Sequence, residues 1–140
     1  MRVFLLLCLA VIIVSCHQKP SYQQIRFDGN LAAIDIHSLK EGVPDFYSVI
    51  IENKKLDFFI ISENGGVKSY FDACKECFYK KMEYRYEKGQ LVCRACNVRF
   101  PIDKLDTGIG GCYPIKIWGV RKDNKYIIEK EALTAGLKFF

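Results

Sequence analysis

Five cysteines in one central stretch give this 140-residue chain its clearest chemistry. Cys74 and Cys77 form one C-x-x-C pair, and Cys93 and Cys96 form a second pair after fifteen intervening residues. Cys112 follows after fifteen more. Two residues between cysteines let both sulfurs turn toward one point, so two such pairs can supply four thiolates in a tetrahedron. The stretch therefore predicts a metal site, and its ligands suit zinc, a single iron or an iron–sulfur cluster.

Three explanations for these cysteines remain open at this point. Disulfides are common in exported proteins, but a C-x-x-C bridge closes a very small loop and gains little stability, and five cysteines leave one unpaired. A structural zinc site fits because the spacing matches two C-x-x-C pairs set roughly 15–20 residues apart. Iron, as a single ion or a cluster, fits the same four thiolates. Cys112 is then a thiol in reserve, a replacement ligand or a ligand to a second metal.

The first residues indicate export and membrane anchoring. Residues 3–14 are a wholly apolar run, which is shorter than the roughly 20 residues that cross a bilayer but has the length of a secretory signal core. The run ends just before Cys16 and resembles the lipobox of bacterial lipoproteins. We therefore predict a signal peptide at 1–15, lipidation of Cys16, and a polar tether over 16–24 that ties the chain to a membrane. The predicted location is the bacterial cell envelope, facing the periplasm or the cell exterior.

Strands and turns are predicted to position the cysteines. Alternating and β-branched runs indicate strands at 31–36, 46–51, 56–61 and 67–71, the last running directly into Cys74. Turn residues at 52–55, 87–90 and 121–124 indicate hairpins, and 115–120 and 125–128 read as strands. Helix formers follow at 129–135, with Gly136 as the predicted C-cap. The predicted fold is α+β over 25–140, with antiparallel hairpins carrying two C-x-x-C knuckles and a short C-terminal helix.

Other residues are assigned mainly to the core or the surface. His37 is predicted to be a surface or structural histidine, and Trp118 is predicted to lie in the core. Six further aromatic side chains are also predicted to pack in the core because strand alternation explains them: Phe46, Tyr47, Phe58, Phe59, Tyr70 and Phe71.

Charge and motif content argue against two classes of function. The net charge is +5, but Lys and Arg interleave with Asp and Glu, so no dense basic run predicts a nucleic acid partner. No Ser/His/Asp set, paired-carboxylate cleft or phosphate loop accompanies the cysteines. We therefore expect a metal-binding or electron-transfer protein and not an enzyme.

Three motifs bring the chain close to a known family: F-D-A-C-x-x-C at 71–77, G-x-L-V-C-x-x-C at 89–96 and G-G-C-x-P at 110–114. Over residues 46–117 the chain resembles the FtrD-like family of membrane iron–sulfur-containing proteins. The resemblance implies an iron–sulfur or other metal centre held by these cysteines and electron transfer at the outer face of a membrane. It also implies a permease or redox partner belonging to an iron or copper uptake system.

The leading expectation is thus a lipid-anchored iron–sulfur or single-iron protein. Cys74, Cys77, Cys93 and Cys96 are its expected ligands, with Cys112 as a fifth thiol. The alternative is a zinc-ribbon-like lipoprotein whose four-cysteine zinc site is structural and whose surface binds a partner protein. Thiol–disulfide exchange through a C-x-x-C pair is a third possibility, but no thioredoxin-like βαβ pattern surrounds either pair.

Overall fold

The computed structural model describes residues 19–140, which form mostly antiparallel β structure with one short C-terminal α-helix. The strands are β1 (Gln23–Gln24), β2 (Leu31–Asp35), β3 (Asp45–Ile51), β4 (Lys54–Glu63), β5 (Gly66–Cys74), β6 (Tyr84–Glu87), β7 (Gln90–Cys93), β8 (Arg99–Pro101), β9 (Pro114–Ile117), β10 (Gly119–Lys122) and β11 (Lys125–Glu129). Helix α1 is Lys130–Thr134, and 3-10 turns occupy Phe78–Lys80, Ile102–Lys104 and Leu137–Phe139. The predicted signal peptide and Cys16 lie outside the described residues.

A five-stranded central sheet connects two smaller sheets. Its strand order is β1-β3-β4-β5-β9, in which only the β1–β3 pair is parallel. One three-stranded sheet has the order β10-β11-β2 and the other has the order β6-β7-β8. The predicted hairpins β3–β4, β6–β7 and β10–β11 are confirmed by their antiparallel registers. Strand β1 lies within the segment predicted as a tether, so part of that segment joins the central sheet.

The two faces of the central sheet cover different cores. Because side chains alternate along a strand, Phe58 of β4 points to one face and Phe59 to the other. On the Phe58 face, β3–β5 pack against β2, β11 and α1 in what we call the distal core. On the Phe59 face they pack against β6, β7 and β8 in what we call the cysteine-side core, which contains Cys74, Cys77 and Cys93. The six aromatic residues predicted to be core are all buried.

Trp118 corrects one prediction. The strand predicted at 115–120 is broken, because β9 ends at Ile117 and β10 begins at Gly119. The chain passes there from the central sheet to a different sheet, and the break turns Trp118 outward. Its side chain is 77% exposed, and the Lys116 Nζ atom lies 5.3 Å from the centre of its ring. Trp118 is therefore a surface residue and not part of either core.

Gly136 has a different role from the predicted C-cap. Ala135 is the residue that caps α1, and Gly136 has φ −86°, which is not the left-handed conformation that favours glycine in a cap. A Cβ atom at Gly136 would lie 2.1 Å from a ring carbon of Phe71. Glycine is needed there because the backbone leaving the helix rests directly on the buried Phe71 ring.

Replacing Trp118 with alanine is expected to change stability little. The exposed ring buries little apolar area, so the free energy of unfolding should change by no more than about 0.5 kcal/mol. Urea unfolding followed by circular dichroism checks this, because Trp118 is the chain's single tryptophan and its removal abolishes tryptophan fluorescence. A loss of about 2 kcal/mol or more would contradict an exposed position.

Candidate metal centre

The ends of two strands from different sheets bring the cysteines together. Cys74 is the last residue of β5 in the central sheet, and Cys93 is the last residue of β7 in the β6–β8 sheet. Cys77 and Cys96 follow in the turns that leave these strands. Cys112 lies in the loop that enters β9. The sequence prediction placed these residues near one another, and the structure brings all five to one end of the cysteine-side core.

The sulfur atoms form two overlapping trios. The Sγ atoms of Cys74, Cys77 and Cys93 lie within 4.8 Å of one another, and so do those of Cys77, Cys96 and Cys112. Thiolates bound to one tetrahedral metal at about 2.3 Å would stand about 3.8 Å apart, so both trios are close to the spacing that a metal requires. Cys77 belongs to both trios and is the centre of the arrangement.

Burial divides the five cysteines. Cys74, Cys77 and Cys93 are buried, Cys112 is half-buried and Cys96 is exposed. All five are free thiols and none of them forms a disulfide in the described chain. The site is therefore enclosed by the core on one side and open to solvent on the other. We call the open side, formed by Cys96 and Cys112, the exposed edge.

Backbone amides are directed at the sulfur atoms that begin each pair. After Cys74 the chain turns so that the Cys77 N–H donates to the Cys74 carbonyl oxygen at 3.1 Å. The amides of Glu76 and Cys77 also donate to the Cys74 sulfur, and those of Ala95 and Cys96 donate to the Cys93 sulfur. Hydrogen bonds of this kind stabilise a thiolate more than a thiol. The amides favour the ionised form of both sulfurs, but at Cys93 the contact with Cys74 and burial outweigh them.

A tight loop places the fifth cysteine. The N–H groups of Ile109 and Cys112 donate to each other's carbonyl oxygens at 2.9 and 3.0 Å. A Cβ atom on Gly108 would lie 2.6 Å from the Cys112 carbonyl oxygen, so only glycine fits at this close approach. The Lys75 N–H then donates to the Tyr113 carbonyl oxygen at 3.0 Å, which fastens the loop beside Cys74.

The crowded thiols strongly influence one another's ionisation. A hydrogen bond from Cys93 lowers the pKa of Cys74 to about 4, and the same contact, together with burial, raises the pKa of Cys93. Burial, followed by the charges on Cys74 and Cys96, raises the pKa of Cys112 to about 12. Several thiols therefore stay protonated at neutral pH in the absence of a cation. A metal would displace those protons, so metal affinity should increase with pH.

A buried carboxyl group, that of Asp72, lies next to the first cysteine pair. Asp72 is 1% exposed, and its Oδ1 atom accepts a hydrogen bond from the Tyr84 N–H at 2.7 Å. Its Oδ2 atom accepts a hydrogen bond from the Tyr22 hydroxyl. Burial raises the pKa of Asp72 to about 7, although both hydrogen bonds oppose the shift. Asp72 thus connects β5, two residues before Cys74, to β6 and to the segment just before β1.

Asp72→Asn is expected to change how stability varies with pH. The pKa of Asp72 is raised from 3.8 to about 7 on folding, so between these values the folded state binds more protons than the unfolded state. The contribution of Asp72 is fully present below about pH 4 and is lost as the pH rises toward 7. Across that window the wild-type free energy of unfolding should fall relative to the variant's by about 1.4 kcal/mol per pH unit.

Urea unfolding of both reduced, metal-free proteins at pH 4, 5, 6 and 7 measures this difference. Taking the difference removes the contributions of the cysteines, which titrate in both proteins. A difference between the two proteins that is constant across the four pH values would contradict the raised pKa of Asp72.

The ligand chemistry of the site fits iron or zinc. Both trios consist entirely of cysteines, and no His, Asp or Glu joins them in the described part of the chain. Soft thiolates select iron–sulfur clusters, iron and zinc over magnesium or calcium. His37 is exposed and belongs to neither trio, as predicted for a surface histidine. Cys16, the predicted lipidation site, lies outside the described residues.

Sequence reasoning missed the residues that surround the sulfurs. Tyr84 and Tyr22 carry no motif, and only the folded chain brings them to Asp72. The signal that could have pointed there is Asp72 itself, a carboxylate inside an otherwise apolar strand end next to the first cysteine pair.

Comparison with known proteins identifies the family. The model of the family described as "Membrane iron-sulfur containing protein FtrD-like" matches residues 39–140. No curated protein and no solved structure was found to match the chain. Within residues 19–140, no helix combines the length and apolar character needed to cross a membrane.

Proposed function

Because the chain belongs to the FtrD-like family of membrane iron–sulfur-containing proteins, we propose that its cysteine site holds an iron–sulfur cluster or a single iron and passes single electrons at a membrane. The observation that carries this proposal is the convergence of five thiols into two trios that share Cys77 and have one exposed edge. The FtrD-like family description names both the membrane and the iron–sulfur centre.

Cys74, Cys77, Cys93 and Cys96 are the proposed ligands, arranged as two C-x-x-C knuckles. The amides directed at the Cys74 and Cys93 sulfurs support this arrangement, because such donors accompany thiolates that hold a metal. Bound iron would supply one-electron redox chemistry. The protein holds the sulfurs in place and uses the buried ring of Phe100 and its neighbours to exclude water from the inner side.

The exposed edge is the proposed route for exchange. Cys96 is exposed whereas Cys74 and Cys93 are buried, so a partner can approach the centre from one side only. A redox protein or permease of an iron or copper uptake system would meet the domain there, and metal delivery would use the same route. The proposed role is electron transfer or metal handling and not catalysis on a bound substrate.

The N-terminal segment would hold this site close to the membrane. We propose that residues 1–15 are removed and that Cys16 is lipidated on the outer side of a bacterial envelope membrane. The Lys19 Nζ atom lies 3.1 Å from the Glu83 Oε2 atom, next to Tyr84 in the cysteine-bearing region. The proposed anchor would thus join the domain through a residue that contacts the cysteine-bearing region.

Cys16→Ser is expected to release the protein from the membrane. An acylated cysteine supplies most of the binding energy for a bilayer, and no helix within residues 19–140 could replace it. Fractionation of cells that express the two forms measures the effect, with most of the wild-type protein expected in the membrane fraction and most of the variant outside it. Cys8→Ser is the matched control, because Cys8 lies within the predicted signal peptide. A variant that remains in the membrane fraction would refute lipid anchoring at Cys16.

A structural zinc site is the second candidate. Sulfur atoms within 4.8 Å of one another are close to the spacing around a single tetrahedral ion. With zinc, the domain would be a zinc-ribbon-like lipoprotein whose cysteines stabilise the fold and whose surface binds a partner protein.

Metal and acid-labile sulfide content, measured with a visible spectrum on full-length protein purified in detergent without oxygen, separates the candidates. Iron with sulfide would support a cluster, and iron without sulfide would support a single-iron centre. Stoichiometric zinc in a colourless protein would overturn the redox proposal in favour of the structural one. Protein without metal, whose thiols react with an alkylating agent only after reduction, would refute both and indicate disulfides.

A further inference from the structure

We infer that the Tyr84 hydroxyl donates a hydrogen bond to the Cys74 sulfur when that sulfur is a metal-bound thiolate. Tyr84 would then be a positioning residue that sets the electronic properties of the centre. This inference rests on the proposed function only in requiring that a metal binds the cysteines, and it does not depend on which metal is bound.

The surroundings of Tyr84 fix its ring beside the cysteines. Tyr84 is fully buried and stands opposite Cys93 in the β6–β7 register. The rings of Phe59 and Phe100 meet it edge-on, with centroids 6.2 and 6.0 Å away. Its N–H donates to Asp72 at 2.7 Å. Backbone and ring are therefore both held in the cysteine-side core.

The core that surrounds this hydroxyl contains the sulfurs of Cys74, Cys77 and Cys93. The Tyr84 hydroxyl is buried and makes no hydrogen bond of normal geometry with any group in residues 19–140. Its ring shares a buried core with Cys74 and Cys93, and the Asp72 that binds its N–H stands two residues before Cys74. Burial, followed by the negative charge on Cys74, also raises the pKa of Tyr84. A buried hydroxyl without a partner is destabilising, so its place in this core calls for an acceptor.

A thiolate is the acceptor that this hydroxyl lacks. A sulfur that carries negative charge accepts shorter and stronger hydrogen bonds than a neutral one. Metal binding keeps the thiolate ionised. In the loaded site the metal also fixes the position of the sulfur, and the Tyr84 hydroxyl donates its hydrogen bond there.

Two measurable properties follow from such a bond. Hydrogen bonds to ligand sulfurs draw electron density from them, which favours the reduced state of an iron centre. The same withdrawal lowers the energy of the sulfur lone pairs and moves sulfur-to-metal charge-transfer bands to shorter wavelength. Losing the bond should reverse both effects.

Tyr84→Phe in the full-length protein tests the inference, with Tyr70→Phe as the matched control. Tyr70 is equally buried in the same core, but its hydroxyl donates to Asp106 at 2.8 Å and not to a cysteine. Each reduced, metal-free protein is titrated with Co²⁺ without oxygen. The iron-loaded proteins are then compared by redox titration. Circular dichroism establishes that each variant is folded.

The expected result is a shift of the cobalt charge-transfer bands to longer wavelength in Tyr84→Phe alone. In the iron-loaded variant, the ratio of oxidised to reduced centre at a fixed potential should rise about tenfold, which is 59 mV for one electron. Unchanged bands and potential, with metal bound, would overturn the role of Tyr84 and leave the proposed function standing. Failure of the wild-type chain to bind either metal would overturn both the role of Tyr84 and the proposed function. Equal shifts in both variants would assign the effect to the core and refute a specific bond.

Discussion

Cys77→Ser is expected to abolish stable metal binding, whereas Cys112→Ser should retain a centre with the wild-type metal stoichiometry. Cys77 is buried and is the one sulfur that belongs to both trios, so its loss leaves neither trio complete. Cys112 lies at the exposed edge, and its loss leaves the two C-x-x-C pairs intact. Replacing a group that only supports a metal ligand typically lowers metal affinity by about 10–100-fold. Loss of the shared ligand itself should therefore weaken binding by about 100-fold or more.

Competition of each purified variant with a chelator, followed by metal analysis, measures this contrast. Serine is nearly isosteric with cysteine, so both variants keep the shape of the site while replacing sulfur with a poor ligand for soft metals. Equal losses in the two variants would mean that Cys112 is an obligatory fifth ligand and that the two-pair assignment is wrong. Full retention of metal by Cys77→Ser would mean that the centre lies elsewhere.

The parts of this structure that depend on local spacing could be predicted from the sequence. Alternation along 46–51 and 56–61 is enough to predict β3, β4 and their hairpin, because one face of each strand must meet a core. The fifteen residues between the cysteine pairs are likewise enough to predict a hairpin that returns the second pair to the first. That hairpin is observed as β6–β7.

Features that depend on contacts between distant residues could not be predicted in this way. Alternation continues through Trp118, but a switch between sheets turns that side chain outward. Glycine after a helix is usually a cap, yet Gly136 is needed because the Phe71 ring, 65 residues earlier in the chain, occupies the space of a Cβ atom. Tyr84 becomes a candidate hydrogen-bond donor to a cysteine sulfur only because folding brings β6 beside Asp72 and Cys93. In each case the deciding partner is remote in sequence.

The adjacent residues Phe58 and Phe59 allow the two cores to be tested separately. Both rings are fully buried in β4, but Phe58 packs in the distal core and Phe59 in the cysteine-side core. Replacing either with alanine removes a large buried side chain and leaves a cavity. Each variant is expected to lose about 3–5 kcal/mol of unfolding free energy. Urea unfolding of the metal-free proteins measures that loss.

Metal affinity should distinguish the two variants. The Phe59 ring stacks on Tyr70 of β5 at 5.3 Å and meets Tyr84 of β6 at 6.2 Å, so it holds together the two strands that deliver Cys74 and Cys93. Phe59→Ala is therefore expected to raise the dissociation constant for Co²⁺ by about tenfold or more, as loss of support behind metal ligands typically does. Phe58→Ala should leave it within about threefold of wild type, because its cavity opens on the opposite face of the sheet. Both constants are measured under conditions in which circular dichroism finds each variant folded. Equal weakening by both substitutions would show that metal affinity follows overall stability, and that the cysteine-side core has no separate role in holding the site.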